Sequence, residues 1–300
     1  FMNPIAFLKD PPPALAFEIS GKGIAVASLG ARSASEPLPA VQFRPLTPGT
    51  ISVSPLRDNI LMPDELAAAV KAAIPASDGR KRRTVAVILP DNCLRISVLD
   101  FDGFPSDAKE QLSLVRFRMK RSVPFDVDSA ACSYWPQPSA HKKIEVVAAV
   151  APVEIIARYE APFRAAGLLP GFVTPSALAM LHLVRGRDLA VVAKLCGNVL
   201  TLMVVENNTL KLVRCIEVPH TTPADIAADL YPTFVYVEDQ LGRKAGKLLL
   251  AGFGASTEDA RRQFEAELGI SVEAVRSLAG EPPEFQAGLI GYLEGLKEVA

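Results

Sequence analysis

Thr84-Val85-Ala86-Val87-Ile88-Leu89-Pro90 opens the decisive stretch of this chain, and Val123-Pro124-Phe125-Asp126-Val127-Asp128 leads out of it. Thr84–Leu89 is nearly all apolar, the pattern of a buried strand, and Pro90-Asp91-Asn92 supplies turn residues after it. Leu94–Phe101 reads as a second strand, stopped by Asp102-Gly103. From Ser106, read as the N-cap, Ala108, Leu112, Val115 and Met119 recur at helical spacing. Asp107 and Glu110 stand at the start of this helix and Arg116, Arg118, Lys120 and Arg121 at its end, as the macrodipole favours. Its basic end therefore has a structural explanation. Pro124 stops the helix, and Ala131–Trp135 and Ile144–Val150 follow as strands.

Upstream, Ala14–Ser20 and Ile24–Leu29 are β-type runs joined by Ser20-Gly21-Lys22-Gly23, whose glycines suit a hairpin turn. Residues 1–13 read as an arm packed on the domain, 30–50 as loop or irregular strand, and Thr50–Val53 as a short strand. Pro63 opens a helix, and Arg80-Lys81-Arg82-Arg83 reads as a solvated loop. Downstream, Val153–Ala166 is a helix ended by Gly167, in which Pro162 predicts a kink or an early end. Pro175–Val184 is a further helix, and Arg185-Gly186-Arg187-Asp188 an interdomain turn.

Leu189–Leu195, Val199–Glu206 and Leu210–Val218 form an antiparallel meander through Gly197-Asn198 and Asn207-Asn208. A helix from Pro223 to Leu241 follows, with a kink expected at Pro232, then a strand at Lys247–Ala251 and the turn Gly252-Phe253-Gly254. Ser256 reads as the cap of the next helix, Ile270–Val275 as a strand and Glu284–Leu296 as a closing helix. Each half is a β-meander followed by helices and strands, which suggests a duplicated α/β unit divided into 14–187 and 188–300.

Composition narrows the function classes. A chain of 300 residues that is 49% hydrophobic can bury a core for two domains, and its formal charge of −1 offers no global attraction for nucleic acid or anionic lipid. Cys93, Cys132, Cys196 and Cys215 are scattered without metal or redox spacing, so a reduced, cytoplasmic chain is expected. Lys194 interrupts the longest apolar stretch, Leu189–Val205, which excludes a membrane span, and the N-terminus lacks the order of a signal peptide. His141, His182 and His220 show no paired spacing and read as surface or packing residues. Gly23 follows Gly21-Lys22 where a P-loop needs Ser or Thr, and no Gly-x-Ser-x-Gly elbow occurs. No catalytic residue and no metal-ligand set emerges.

The order of these elements resembles the actin-like (ribonuclease H-like) superfamily, and more narrowly the PilM family of type IV pilus assembly proteins, relatives of FtsA. Val87–Tyr134 is similar to that family's subdomain 1C, whose helix ends in an Ile-Pro-Phe or Ile-Pro-Tyr segment. Ala165-Ala166-Gly167-Leu168-Leu169-Pro170 matches its Ala-Gly-Leu-x-Pro turn. The resemblance implies a bilobed α/β fold: subdomain 1A with 1C at about 84–150, then a 2A-like domain II with subdomain 2B reduced or absent at about 219–246. It implies a cytoplasmic protein, peripheral at the inner membrane, that binds the N-terminal peptide of a PilN-like single-pass protein between 1A and 1C. Other pilus or secretion platform proteins and further copies of the chain are the additional contacts it suggests, with a GspL-like secretion scaffold as an alternative. Leu112, Val115, Arg116, Met119, Val123, Pro124 and Phe125 are the candidate partner-binding residues.

An actin-type site holds phosphates on two Gly-containing turns, metal by carboxylates and adenosine against a Gly-Gly turn. The family's first turn is Asp-x-Gly-Ser-like, and Glu18, Ser20, Gly21, Lys22 and Gly23 stand there. The second normally carries Asp-x-Gly, where Lys194 and Gly197 replace the metal-side acid with a cation. The third retains Gly252 and Gly254, with Phe253 expected in the space a base should enter. The 28 residues from Pro219 to Gly246 replace a whole subdomain. These departures point to a non-catalytic scaffold without a cofactor; an ATPase using ATP and magnesium is the alternative.

Overall fold

The computed structural model describes residues 11–29, 39–75, 83–138 and 143–299. Most of the N-terminal arm, the cations Arg80, Lys81 and Arg82, and His141 lie outside the described residues.

Two five-stranded sheets share one strand order. In the first, β1 (Leu15–Ile19) and β2 (Gly23–Ser28) form the expected hairpin. β3 (Gln42–Pro45) extends it on one side, and β4 (Arg83–Leu89) and β8 (Leu168–Pro175) add in parallel on the other. In the second, β9 (Ala190–Cys196), β10 (Val199–Glu206) and β11 (Thr209–Glu217) form the meander, with β12 (Lys247–Ala251) and β13 (Ser271–Ala274) parallel to β9. The orders are β3-β2-β1-β4-β8 and β11-β10-β9-β12-β13. Asn207 and Asn208 both take positive φ, as a two-residue hairpin turn requires.

Helices α1 (Pro63–Ala73) and α3 (Val153–Ala165) bury Leu66, Val70, Ile155, Tyr159 and Phe163 on the outer face of the first sheet. On the second, α5 (Pro223–Leu241) and α6 (Thr257–Leu268) bury Ile226, Leu230, Val237 and Phe264. Between the sheets lie the short α4 (Ser176–Met180) and the closing α7 (Ala287–Val299). Sequence order places α7 in 188–300, yet Leu289, Tyr292 and Leu293 pack against Ala16, Ala86 and Ile88 of the first sheet. Glycine makes this approach possible: a Cβ on Gly291 would fall on the carbonyl of Ala179 and the Cα of Met180.

A third sheet, β5 (Arg95–Phe101), β7 (Ile144–Ala151) and β6 (Ala131–Pro136), is inserted between β4 and α3. Its helix, α2 (Ala108–Met119), closes a small core of Leu99, Phe101, Val115, Met119, Val127, Val146 and Val150. The opposite face turns Val147 and the half-buried Trp135 toward the second half. There Gln137 exchanges two hydrogen bonds with the backbone of Leu210, both 2.7 Å, and Lys211 pairs with Glu145. No insertion matches it between β11 and β12, where α5 is the one element.

Several local expectations change. The N-cap of α2 is Asp107, not Ser106, because its carboxylate accepts from the amides of Lys109 and Glu110. Ser256 makes no side-chain cap; a 3₁₀ turn, Gly254–Ser256, leads into α6, and the Thr257 hydroxyl donates to the Gly254 carbonyl. α7 starts at Ala287, not Glu284, after Phe285 takes a positive φ. Thr50–Val53 contributes an isolated bridge, Ile51 to Ile60, instead of a strand. Pro162 and Pro232 do not end their helices: the first lies near the end of α3 and the second on the exposed side of α5. The expected helix at 175–184 is one short α-helical segment continued by a 3₁₀ turn.

Candidate functional site

The carboxyl ends of β1, β4 and β9 converge between the two halves, and three charged side chains meet there. Glu18, Asp91 and Lys194 are 3%, 4% and 4% exposed, so bulk water cannot screen them. Lys194 Nζ donates to Asp91 Oδ2 at 2.8 Å, and the same oxygen accepts from the Thr201 hydroxyl at 3.0 Å. Asp91 Oδ1 takes the amide of Ala177 at 2.6 Å. Glu18 Oε1 accepts a short bond from the Ser176 hydroxyl, and Oε2 takes the amide of Leu289 at 2.7 Å. Every oxygen of both carboxylates already has a partner from the chain.

Burial works against the Lys194 ammonium, but the charges of Asp91 and Glu18 outweigh it and hold this group protonated. Burial raises the Glu18 carboxyl above the ordinary carboxylate range, with Lys194 acting in the opposite direction. Burial also pushes the thiols of Cys196 and Cys215 up to about 11 and about 12, which leaves both protonated at neutral pH.

Above this cluster lies an interlobe cleft of about 930 Å³. Gly21, Lys22, Gly197 and Gly252 line it, whereas Glu18, Ser20, Gly23, Lys194 and Gly254 do not. Asp91 forms part of the wall together with Asn92, Glu217 and Glu284. The three phosphate and adenosine turns thus face one space, and the first spends two of its amides internally. Ser20 Oγ accepts from the amides of Lys22 and Gly23, at 3.3 and 3.1 Å, and donates to the Gly23 carbonyl. Gly252 has a positive φ and would drive a Cβ into the Leu195 carbonyl, so its retention has a packing cause. The Glu284 carboxylate covers the Cα of Gly254 and puts an acid where an adenosine would approach. Phe253 lines the cleft beside Gly252 and packs edge-on to Phe264 with centroids 6.1 Å apart. Among the described residues no group of three or more His, Cys, Asp or Glu is placed to hold a metal ion.

The partner-binding candidates divide. Val115 and Met119 are fully buried in the small core, because the spacing that marks a helical face here marks the inward one. The Arg116 guanidinium donates to the carbonyls of Val127, Asp128 and Ala130, and so clamps the loop leading into β6. Val115 and Met119 are thus inaccessible to a partner, whereas Arg116 is half-buried. Leu112, Val123 and Phe125 are half-buried and Pro124 is exposed. The most exposed apolar residue of α2 is Phe117, 59% accessible beneath Arg121, which sequence reading passed over.

Sequence reasoning also missed Asp91, Ser176 and Thr201. Asp91 was legible as a turn residue, and nothing in spacing links it to Lys194, which lies 103 positions away.

Two sheets of one strand order, closing on a shared cleft, define an actin-like fold. Solved structures agree. Over 95% of this chain and 96% of the other, the protein is similar to the "PilM-PilN type IV pilus biogenesis complex", with a TM-score of 0.68 at 19% identity. A protein with an actin-like ATPase fold from Bacteroides thetaiotaomicron matches with a TM-score of 0.52 at 13% identity, covering 92% and 94% of the two chains. The cytoplasmic domain of EpsL, an inner membrane component of the type II secretion system of Vibrio cholerae, matches with a TM-score of 0.50 at 13% identity, covering 95% and 94%. By sequence, no family model and no curated protein matches.

Proposed function

We propose that the protein is a non-catalytic scaffold of a type IV pilus or related secretion assembly platform, which holds the N-terminal peptide of a PilN-like inner-membrane protein. The observation that carries this reading is Lys194, a buried cation on the turn where an actin-type site needs a metal-binding acid. The residues do not fit a magnesium nucleotide: every oxygen of both interior carboxylates already has a partner from the chain, two amides of the first turn are spent on Ser20, and Glu284 covers the third turn. The likeness in fold to the PilM-PilN complex and to the EpsL cytoplasmic domain supports the platform role. Among the described residues no helix is long and apolar enough to cross a membrane, which is consistent with a cytoplasmic protein held at the inner membrane through its partners. Leu112, Arg116, Val123, Pro124 and Phe125 are the part of the expected partner surface that remains accessible.

Co-expression with the product of a neighbouring PilN-like gene tests the reading. The complex is expected to co-purify, to be lost when the partner's N-terminal peptide is deleted, and to weaken in Phe125→Asp. A complex that survives the deletion, or steady ATP turnover by the purified chain, would overturn it.

A further inference from the structure

The buried cluster does more than vacate a metal site. Its members come from both halves: Glu18 and Asp91 belong to the first, on β1 and just after β4, and Lys194 and Thr201 to the second, on β9 and β10. Ala177 at the start of α4 and Leu289 on α7 donate backbone amides, so the same carboxylates also fasten the two helices that lie between the sheets. The ammonium pairs directly with Asp91 of the other half, the relation a bound cation has to a carboxylate that holds it. A lysine cannot leave, whereas a metal ion and its nucleotide can.

We propose that Asp91, Lys194 and Thr201 form a permanent interlobe latch, in which the Lys194 ammonium takes the place of an exchangeable cation and fixes cleft closure without any ligand. This rests on the non-catalytic reading above, but it makes a separate claim about motion. In an actin-like fold, a bound cation and nucleotide would bridge the halves, and their loss would let the halves move apart. Here the bridge is covalently part of β9. Opening would strip Asp91 of Lys194 and Thr201 together and leave a buried carboxylate uncompensated, the costliest state available to it. The platform would then receive one fixed shape of the protein, and control would have to act through the partner peptide.

Hydrogen exchange on the full chain tests this, comparing the wild type with Lys194→Met and with the doubly neutral Asp91→Asn/Lys194→Met. In Lys194→Met, amides of residues 91–93, β9 and β10 are expected to exchange at least about tenfold faster, with distant amides of α1 unchanged. The double variant is expected to recover most of the protection, since the buried Asp91 charge is removed together with its partner. Wild-type protection is expected to be the same with a chelator as with magnesium and ATP. If Lys194→Met fails to fold, the double variant and the wild-type comparison carry the test. Unchanged exchange in Lys194→Met, or closure of the wild type on adding magnesium and ATP, would overturn the latch. Steady ATP turnover with unaltered exchange would overturn the non-catalytic reading while upholding the latch.

Discussion

Glu18 and Lys194 occupy matching places in the two halves. Each lies near the end of the central strand, between its hairpin partner on one side and a parallel strand on the other. One is an acid and the other a base. Two acids facing each other across a cleft need an outside cation to hold them; an acid set facing a base closes on itself. The halves thus share a backbone plan, and the chemistry of the cleft is decided by which charge each central strand carries. They differ equally in what they insert: a three-stranded sheet with α2 between β4 and α3, and nothing beyond α5 between β11 and β12.

The largest test removes one partner of that pair. Lys194→Met is expected to lower unfolding stability by about 3–5 kcal/mol, measured by chemical denaturation, because Asp91 would stay buried without its cation. Asp91→Asn/Lys194→Met should recover most of that loss. If the single variant were as stable as the wild type, the opposition of charge between the halves would carry no energy.

The seam between the halves gives the next effect. His182 is buried beside α7, 3.8 Å from Glu298 and so without a hydrogen bond from Nδ1, and burial lowers its imidazole to about 4. Its folded value lies below the unfolded value of 6.5, so this stabilisation is complete above pH 6.5 and is lost as pH falls toward 4. The loss amounts to about 3 kcal/mol. Replacing His182 by Gln should flatten stability over that window; an unchanged pH profile would show that the imidazole stays accessible to protons.

Gly291→Ala probes the same seam by sterics. Its new Cβ meets the backbone of α4, which cannot step aside as a side chain can, and a cost of about 2 kcal/mol is expected in thermal or chemical unfolding. The smallest effect concerns the insertion that distinguishes the halves. Asp107→Ala removes the cap of α2 and should cost about 1 kcal/mol, whereas Ser106→Ala should change little.

Much of the fold was legible in the chain because its signals are local. Gly and Asn at the turns of β1–β2 and β9–β10–β11 announced the meanders, and the apolar runs between them set the strands. β3 lies in a stretch that reads only as loop or irregular strand, because Gln42–Pro45 is four residues long, mostly exposed, and takes its order from pairing with β2. The site was legible in part. Lys194 stood out as a wrong charge on a recognisable turn, but its partner Asp91 looked like any turn aspartate. Ser176 and Thr201 are short polar residues whose role exists only once distant strands meet. Val115 and Met119 went astray for a related reason: periodicity identifies the apolar face of a helix but not whether the chain itself covers it.

Calorimetric titration of the purified protein with ATP in the presence of magnesium addresses the central claim most directly. A chain whose interior cation is Lys194 should release no binding heat. Micromolar binding that disappears on substituting Gly21 would show that the cleft still serves a nucleotide and would contradict the account.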